Sequence, residues 1–170
     1  MKKITPLAIT QIALVAAMYA ALTVAFQPLS YGAVQVRFSE ALMLLCCYRK
    51  RWCAALSAGC LIANLFSGMS LDFIFGTLAT VIAAVLMYLI RRPIPASLIP
   101  AVANGFIIGA ELKSFAGEPF WFSVGSVAVG EIIAVTVIGL PLLWALLRSP
   151  VLRGAVCGNR IPAKYADASA

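Results

Sequence analysis

The sequence contains no histidine and very few charged residues. Of its 170 residues 11% are charged and 63% are hydrophobic, and the mean hydropathy is +1.00. A soluble domain needs a polar surface, and this chain has too few polar side chains to cover one. In a lipid bilayer the same apolar excess is what the surroundings require. The composition therefore predicts an integral membrane protein.

Other absences restrict the chemistry. Without histidine the chain cannot build a Ser-His or Cys-His nucleophilic pair. No G-x-x-x-x-G-K-[ST] phosphate loop occurs, so the chain cannot bind ATP in that way. The five cysteines lack metal-ligand spacing and are expected to act as small hydrophobic residues. We therefore expect no metal, no cofactor and no enzymatic activity, and any uphill work must draw its energy from a partner or an ion gradient.

Six apolar stretches predict an all-α, six-helix transmembrane bundle over residues 1–148, followed by a loose cytoplasmic tail over 149–170. The first stretch is longer than the apolar region of ~7–15 residues in a secretory signal, so we interpret it as a span. The second is too short to cross ~30 Å of hydrocarbon alone, so it should line a cavity rather than face lipid. The predicted spans are Pro6–Phe26, Phe38–Tyr48, Arg51–Ser67, Asp72–Ile90, Pro93–Leu112 and Phe120–Leu147.

The basic residues indicate the orientation. Eleven of the 13 lie near the termini or in the turns at Arg49–Arg51 and Arg91–Arg92, whereas Arg37 and Lys113 fall on the other side. The positive-inside bias then predicts that both termini are cytoplasmic, in the cytoplasmic membrane. The net charge of +7 is thereby explained by topology. No nucleic-acid partner is expected, because no folded domain offers a basic face.

Polar side chains inside the apolar stretches are the candidates for function. An ionisable group near the bilayer centre costs at least about 2.5–3.5 kcal/mol on insertion scales. Arg37 and Glu40 are spaced i, i+3, and Asn104 and Glu111 are spaced i, i+7, so each pair shares a helix face. We predict that such residues enclose a polar pocket open to the outside. The predicted substrate-binding residues are Arg37, Glu40, Asn64, Asp72, Asn104, Glu111, Trp121 and Glu131.

Structural roles are alternatives for several of these residues. Arg37 and Glu40 could form only a salt bridge, and Asp72 could be a helix N-cap. Trp121 could belong to an interfacial aromatic belt, and Asn104 could bond across helices. Glu131 is the hardest to explain structurally, because a lone carboxylate deep in a span needs a partner.

Alanines recur every four residues in the first span. Two such stripes of small residues give a smooth surface on which another helix can pack closely. They predict a docking face for a partner membrane protein, with packing inside the chain as the alternative. The first stripe is Ala13, Ala17 and Ala21, and the second is Ala16 and Ala20.

Two motif blocks resemble the QueT family of substrate-binding S components of energy-coupling factor (ECF) transporters. The blocks are Gly32-Ala-Val-Gln-Val-Arg37-Phe-Ser-Glu40-Ala-Leu, and Ala63-Asn64-Leu65-Phe66 followed by Leu71-Asp72-Phe73-Ile74-Phe75-Gly76-Thr77-Leu78-Ala79-Thr80. The resemblance covers roughly Thr5 to Leu147. It implies six helices, docking through the alanine face, and partnership with a transmembrane coupling protein and two ATPases. Cys46-Cys47-Tyr48 departs from the family, whose members commonly have Leu-Pro and a small loop there.

The resemblance also implies a ligand. The family is associated with queuosine precursors: queuine, 7-cyano-7-deazaguanine and 7-aminomethyl-7-deazaguanine. The loops Gln27–Val36 and Phe66–Leu71 are expected to close over such a base. An alternative is a proton-coupled secondary transporter that uses Glu131 as its carrier group. An intramembrane enzyme would need a carboxylate cluster, and the carboxylates are too scattered for one.

Overall fold

The computed structural model describes residues 5–27, 36–66 and 72–158, without the side chain of Asp72. Every regular element in these ranges is a helix, which confirms the all-α prediction. One short element, here named the central helix, follows the first long helix. In chain order the elements are α1 (Pro6–Ala25), the central helix (Phe38–Cys47), α2 (Lys50–Asn64), α3 (Asp72–Ile90), α4 (Pro93–Ala116), α5 (Phe120–Arg148) and α6 (Pro150–Cys157).

Four helices in the described ranges are long and apolar enough to cross a membrane. They are α1, α4, α5 and the Phe73–Ile90 part of α3, with 18 to 29 residues each. The chain is therefore a multi-pass membrane protein. The central helix has 10 residues, and α2 has 15 and ends at Asn64 rather than at the predicted Ser67. The count of six spans and the side on which the termini lie stay predictions.

The central helix is a 3-10 helix surrounded by the rest of the bundle. At a rise of about 2.0 Å per residue, ten residues extend about 20 Å, one third farther than an α-helix of that length. Every residue from Ser39 to Cys47 is buried. A Cβ atom placed on Gly139 of α5 would lie 3.1 Å from the carbonyl oxygen of Ala41, so the two backbones touch. The segment faces other helices and not lipid, as its short length predicted.

The alanine stripes of α1 have different surroundings. Ala16 and Ala20 are buried, because α2 packs on them through a glycine: a Cβ on Gly59 would lie 2.7 Å from the carbonyl oxygen of Ala16. The prediction that Ala16 and Ala20 form a docking face is wrong for this reason. The other stripe is exposed and remains available. It consists of Ala13, Ala17 and Ala21.

Both long C-terminal spans contain irregular turns. In α4, the first helical turn, Pro93–Ala96, is followed by a break at Ser97. The Ser97 hydroxyl accepts a hydrogen bond of 3.1 Å from the Thr136 hydroxyl of α5. The helix continues past the predicted end to Ala116, in a final π-helical turn. In α5 a π-helical segment, Ile132–Gly139, begins directly after Glu131. Such widened turns occur frequently at functional sites.

The segment after Ser149 begins with a packed helix. The indole nitrogen of Trp52 donates to the carbonyl of Val156 at 2.9 Å, and Arg51 donates to the carbonyl of Ala155 at 3.0 Å. These donors satisfy carbonyls at the helix C-terminus that have no partner within the helix. The prediction of a loose tail is therefore wrong for Pro150–Cys157. Residues 159–170 lie outside the described ranges.

Candidate functional site

The buried polar residues of the bundle gather around the first turn of the central helix. Arg37 immediately precedes this helix and Glu40 lies in its first turn, with 6% and 0% of their surfaces exposed. A 3-10 helix brings residues i and i+3 one above the other, so the two side chains share one side. Both belong to the predicted site, and both face protein rather than lipid.

Residues of α1 complete one wall of the cluster. The Tyr19 hydroxyl donates to Oε1 of Glu40, and the hydroxyls of Thr23 and Ser39 are 2.6 Å apart. Tyr19 and Thr23 are spaced i, i+4 and so lie on one face of the helix. The sequence reasoning missed both, because it interpreted α1 only as a docking helix. The signal was present in two polar side chains at helical spacing in an otherwise apolar run.

The second wall comes from α2 and α3. Arg37 donates to Oδ1 of Asn64 at 3.4 Å, and the Asn64 amide nitrogen in turn contacts Sγ of Cys60 at 3.3 Å and the hydroxyl of Thr77 at 3.5 Å. The thiol of Cys60 also lies 3.2 Å from the Thr80 hydroxyl. Asn64 is thus held at both ends of its amide. The structure brings Arg37 and Asn64 together, as the sequence predicted.

The third wall comes from α4 and α5. The Asn104 amide nitrogen donates to Oε1 of Glu131, and each of these side chains is 4% exposed. Glu131 also interacts electrostatically with Glu40 and Arg37 on the central helix. Four of the predicted residues, Arg37, Glu40, Asn104 and Glu131, are therefore parts of one buried cluster. We refer to this set with Asn64 and Tyr19 as the polar cluster.

Three acceptor oxygens of the polar cluster are left unsatisfied by the described residues. Oε2 of Glu40, Oδ1 of Asn104 and Oε2 of Glu131 are buried and have no hydrogen-bond partner among the described residues. Burying an unsatisfied polar group costs about 1–3 kcal/mol, and more when it is charged. Three such oxygens around one site are suited to a ligand that donates several hydrogen bonds. In the described part of the chain no group of His, Cys, Asp or Glu could hold a metal ion.

The other predicted site residues have different positions. Glu111 is buried, two helical turns from Asn104 on the same face, which corresponds to about 10.5 Å along the axis. Trp121 is 74% exposed and its ring packs edge-on against Phe120, so the structure does not bring it to the polar cluster. Asp72 begins α3, but its side chain is outside the description. Residues 28–35 and 67–71, most of the loops predicted to close, are outside it too.

A multi-pass helical protein with ionisable side chains buried around a shared site has the features of a membrane transport protein. The sequence profile of the QueT transporter family matches residues 9–148. The chain belongs to this family, and it is a transporter rather than an enzyme.

A curated relative is similar over most of the chain. It is the "Queuosine precursor transporter QueT" of Lactococcus lactis subsp. cremoris (strain MG1363). The two are 32% identical over 147 residues, covering 77% of this chain and 87% of the relative. No solved structure matches the chain.

Proposed function

We propose that this chain is the substrate-binding subunit of an ECF-type importer, and that it takes up a queuosine precursor across the cytoplasmic membrane. The observation that carries the proposal is the polar cluster, in which three buried acceptors have no donor among the residues that the structure describes. The printed name of the Lactococcus relative supports the class of substrate. The ligand would be bound and released unchanged.

The hydrogen-bonding groups of a 7-deazaguanine complement the cluster. One edge of the base offers an N–H and an NH2 group, which the spare oxygens of Asn104 and Glu131 can accept. The pyrrole N–H offers a further donor, which the spare oxygen of Glu40 can accept. The carbonyl oxygen of the base needs a donor, and Arg37 supplies the nearest cationic one. Hydrogen bonds to ionised groups are about twice as strong as neutral ones, so the carboxylates would dominate the affinity.

The proposed topology has six spans and cytoplasmic termini. The central helix and α2 would be the second and third spans, and the turn between them would be cytoplasmic. Arg51 in the first turn of α2 contacts Ala155 of α6, so the start of α2 and the C-terminal helix share one end of the bundle. That end is rich in basic residues, which favours the cytoplasm. Arg37 and Glu40 begin the central helix, so the polar cluster would lie toward the outer half.

The proposed partners are a transmembrane coupling protein and two ATPases. The sequence has no phosphate loop, so ATP would be hydrolysed by other subunits. The exposed stripe Ala13, Ala17 and Ala21 offers a smooth helix face of the kind on which membrane helices pack. The stripe is exposed and is centred about 100° around the helix from the buried Ala16, so a partner could dock there without disturbing the polar cluster.

A titration of the purified chain tests the ligand. The panel contains queuine, 7-cyano-7-deazaguanine, 7-aminomethyl-7-deazaguanine, guanine and common vitamins. We expect at least one deazaguanine to bind more tightly than guanine and every vitamin, because guanine shares the base edge but has no substituent at position 7. If no deazapurine binds measurably, the substrate assignment is wrong.

A bulky residue in the exposed stripe tests the docking. Ala17→Trp should leave ligand affinity unchanged and reduce cellular uptake at least about tenfold, because the ring prevents close helix packing. Leu89→Trp is the control, since Leu89 of α3 is 63% exposed, already large and outside the stripe. Normal uptake by the Ala17 variant would exclude this face.

Uptake that stops when the proton gradient is collapsed, with ATP maintained, would favour the secondary transporter with Glu131 as carrier.

A further inference from the structure

The charged groups of the polar cluster do not balance. It contains two carboxylates, Glu40 and Glu131, and one guanidinium, Arg37, all at least nine-tenths buried. Residues 28–35 and 67–71, whose positions are not described, include no Lys, Arg, Asp or Glu, and the undescribed side chain of Asp72 would only add to the negative charge. Lys113 is exposed, with its ammonium over the ring of Phe120. The cluster thus has one negative charge more than its own side chains neutralise.

A buried net charge is costly in this environment. Moving an isolated ionised carboxylate into a medium of low dielectric constant costs several kcal/mol even after relaxation. The neighbouring side chains do not supply a second positive charge. Glu40 is flanked by Tyr19, Arg37 and, across the site, Glu131. The Cys60 thiol also interacts with Arg37 and Glu40, and it adds no positive charge. The remaining charge must be neutralised by a proton or by a cation that enters the site.

We propose that the ligand of this site carries that positive charge, so that the amine-bearing 7-deazaguanines are its substrates and the neutral 7-cyano compound is a poor one. The inference rests on the proposed function. An ammonium group neutralises the excess carboxylate. It also adds N–H donors, which the three spare acceptor oxygens lack among the described residues. A cyano nitrogen is itself an acceptor, so it would enlarge the imbalance. Queuine and 7-aminomethyl-7-deazaguanine both contain the amine.

A matched pair of ligands tests this directly. The full chain in lipid nanodiscs is titrated calorimetrically with 7-aminomethyl- and 7-cyano-7-deazaguanine at pH 7.5, in buffers of different ionisation enthalpy. A charge-assisted contact predicts that the amine binds about 10–100-fold more tightly. The cyano compound should leave in place the proton that neutralises the empty site, so its binding heat should not depend on the buffer. The amine should displace that proton and release about one on binding, seen as a buffer-dependent heat.

The outcomes separate this inference from the proposed function. Equal affinities without proton release on binding of the amine would overturn the cationic ligand and leave a deazaguanine importer in place. If neither compound nor queuine binds, the proposed function itself fails. Since the wild-type chain decides both questions, the test does not depend on any variant being folded.

An isosteric variant locates the charge. Glu131→Gln removes one negative charge and retains an acceptor for the Asn104 amide, so the amine preference should shrink to about threefold or less. Glu118→Gln is the matched control: Glu118 is an exposed carboxylate that accepts from Ser123 at 3.0 Å, outside the polar cluster, and its loss should leave the preference intact. A full preference in the Glu131 variant, with unchanged thermal unfolding, would contradict the assignment.

Discussion

The two halves of the central helix are equally buried but chemically opposite. Its first turn contains Ser39 and Glu40, both 0% exposed, and its later turns contain Leu44, Leu45 and Cys46, exposed by 0%, 6% and 0%. Burial therefore does not distinguish a residue that stabilises the fold from one retained for a ligand. The distinction comes from what surrounds each side chain.

The apolar half belongs to the main core of the bundle. Leu44 lies in one cluster with Leu56, Met87 and Leu143, from three other helices, and each of them is at most 2% exposed. A buried leucine makes tens of weak dispersion contacts that sum to a large term. In the polar half, carboxylate oxygens have no donor within the described ranges, and burying them in this way destabilises the empty protein. This difference supports the proposal that the apolar half stabilises the fold and the polar half binds the ligand.

The largest expected effect on stability is in the apolar half. Leu44→Ala should lower the free energy of unfolding by about 2–5 kcal/mol, because it leaves a cavity among residues that cannot collapse into it. Denaturant titration in detergent measures this. Leu89→Ala is the control: Leu89 is 63% exposed, and its loss should change stability by no more than about 0.5 kcal/mol. Equal losses in the two variants would contradict the location of the core.

A smaller effect is expected where α5 crosses the middle of the central helix. A Cβ on Gly139 would lie 3.1 Å from the carbonyl oxygen of Ala41 and 3.2 Å from the Cα of Ala41. Both are backbone atoms, which cannot move aside as the end of a side chain can. Gly139→Ala should therefore cost about 1–3 kcal/mol of unfolding free energy.

Gly125 provides the matched control for that substitution. It lies in the same long helix, and a Cβ there would meet nothing within 4 Å. Gly125→Ala should stabilise the protein by about 0.5–1 kcal/mol, since glycine loses the most backbone freedom on folding. A Gly139 variant as stable as the Gly125 variant would show that the two helix backbones do not touch.

The smallest effect is expected at the end where α6 packs. Trp52→Phe removes the donor to the Val156 carbonyl and should lower the unfolding free energy by about 0.5–1.5 kcal/mol, with ligand binding unchanged. Trp144→Phe is the control, because Trp144 is 44% exposed and lies outside this contact. Proteolysis after residue 149 should increase only in the Trp52 variant. Unchanged protection would mean that α6 is held by other contacts.

The sequence predicted the long helices well, because a run of about 20 apolar residues has few other solutions in lipid. It did not predict that Phe38–Cys47 is a 3-10 helix, since that depends on packing on all sides. It also missed α6. That helix has eight residues and depends on donors from Arg51 and Trp52, about 100 positions earlier in the chain, and no local pattern encodes such a contact.

The site was predictable where the energetic cost was visible in the sequence. Charged and amide groups inside apolar helices are expensive, which singled out Arg37, Glu40, Asn104 and Glu131. Tyr19 was missed because a tyrosine is tolerated in a membrane helix and the alanines around it suggested a different role. Trp121 was placed at the pocket from its position in the sequence alone, whereas its ring is mostly exposed.

The central claim is that the buried carboxylates are retained for a ligand and not for the fold. Glu131→Ala tests it most directly, by measuring the affinity for 7-aminomethyl-7-deazaguanine and the free energy of unfolding on the same sample. We predict that affinity falls by more than about 100-fold, while the unfolding free energy changes by no more than about 1 kcal/mol or rises. Unchanged affinity combined with a loss of about 3–5 kcal/mol in stability would show instead that Glu131 is a structural residue.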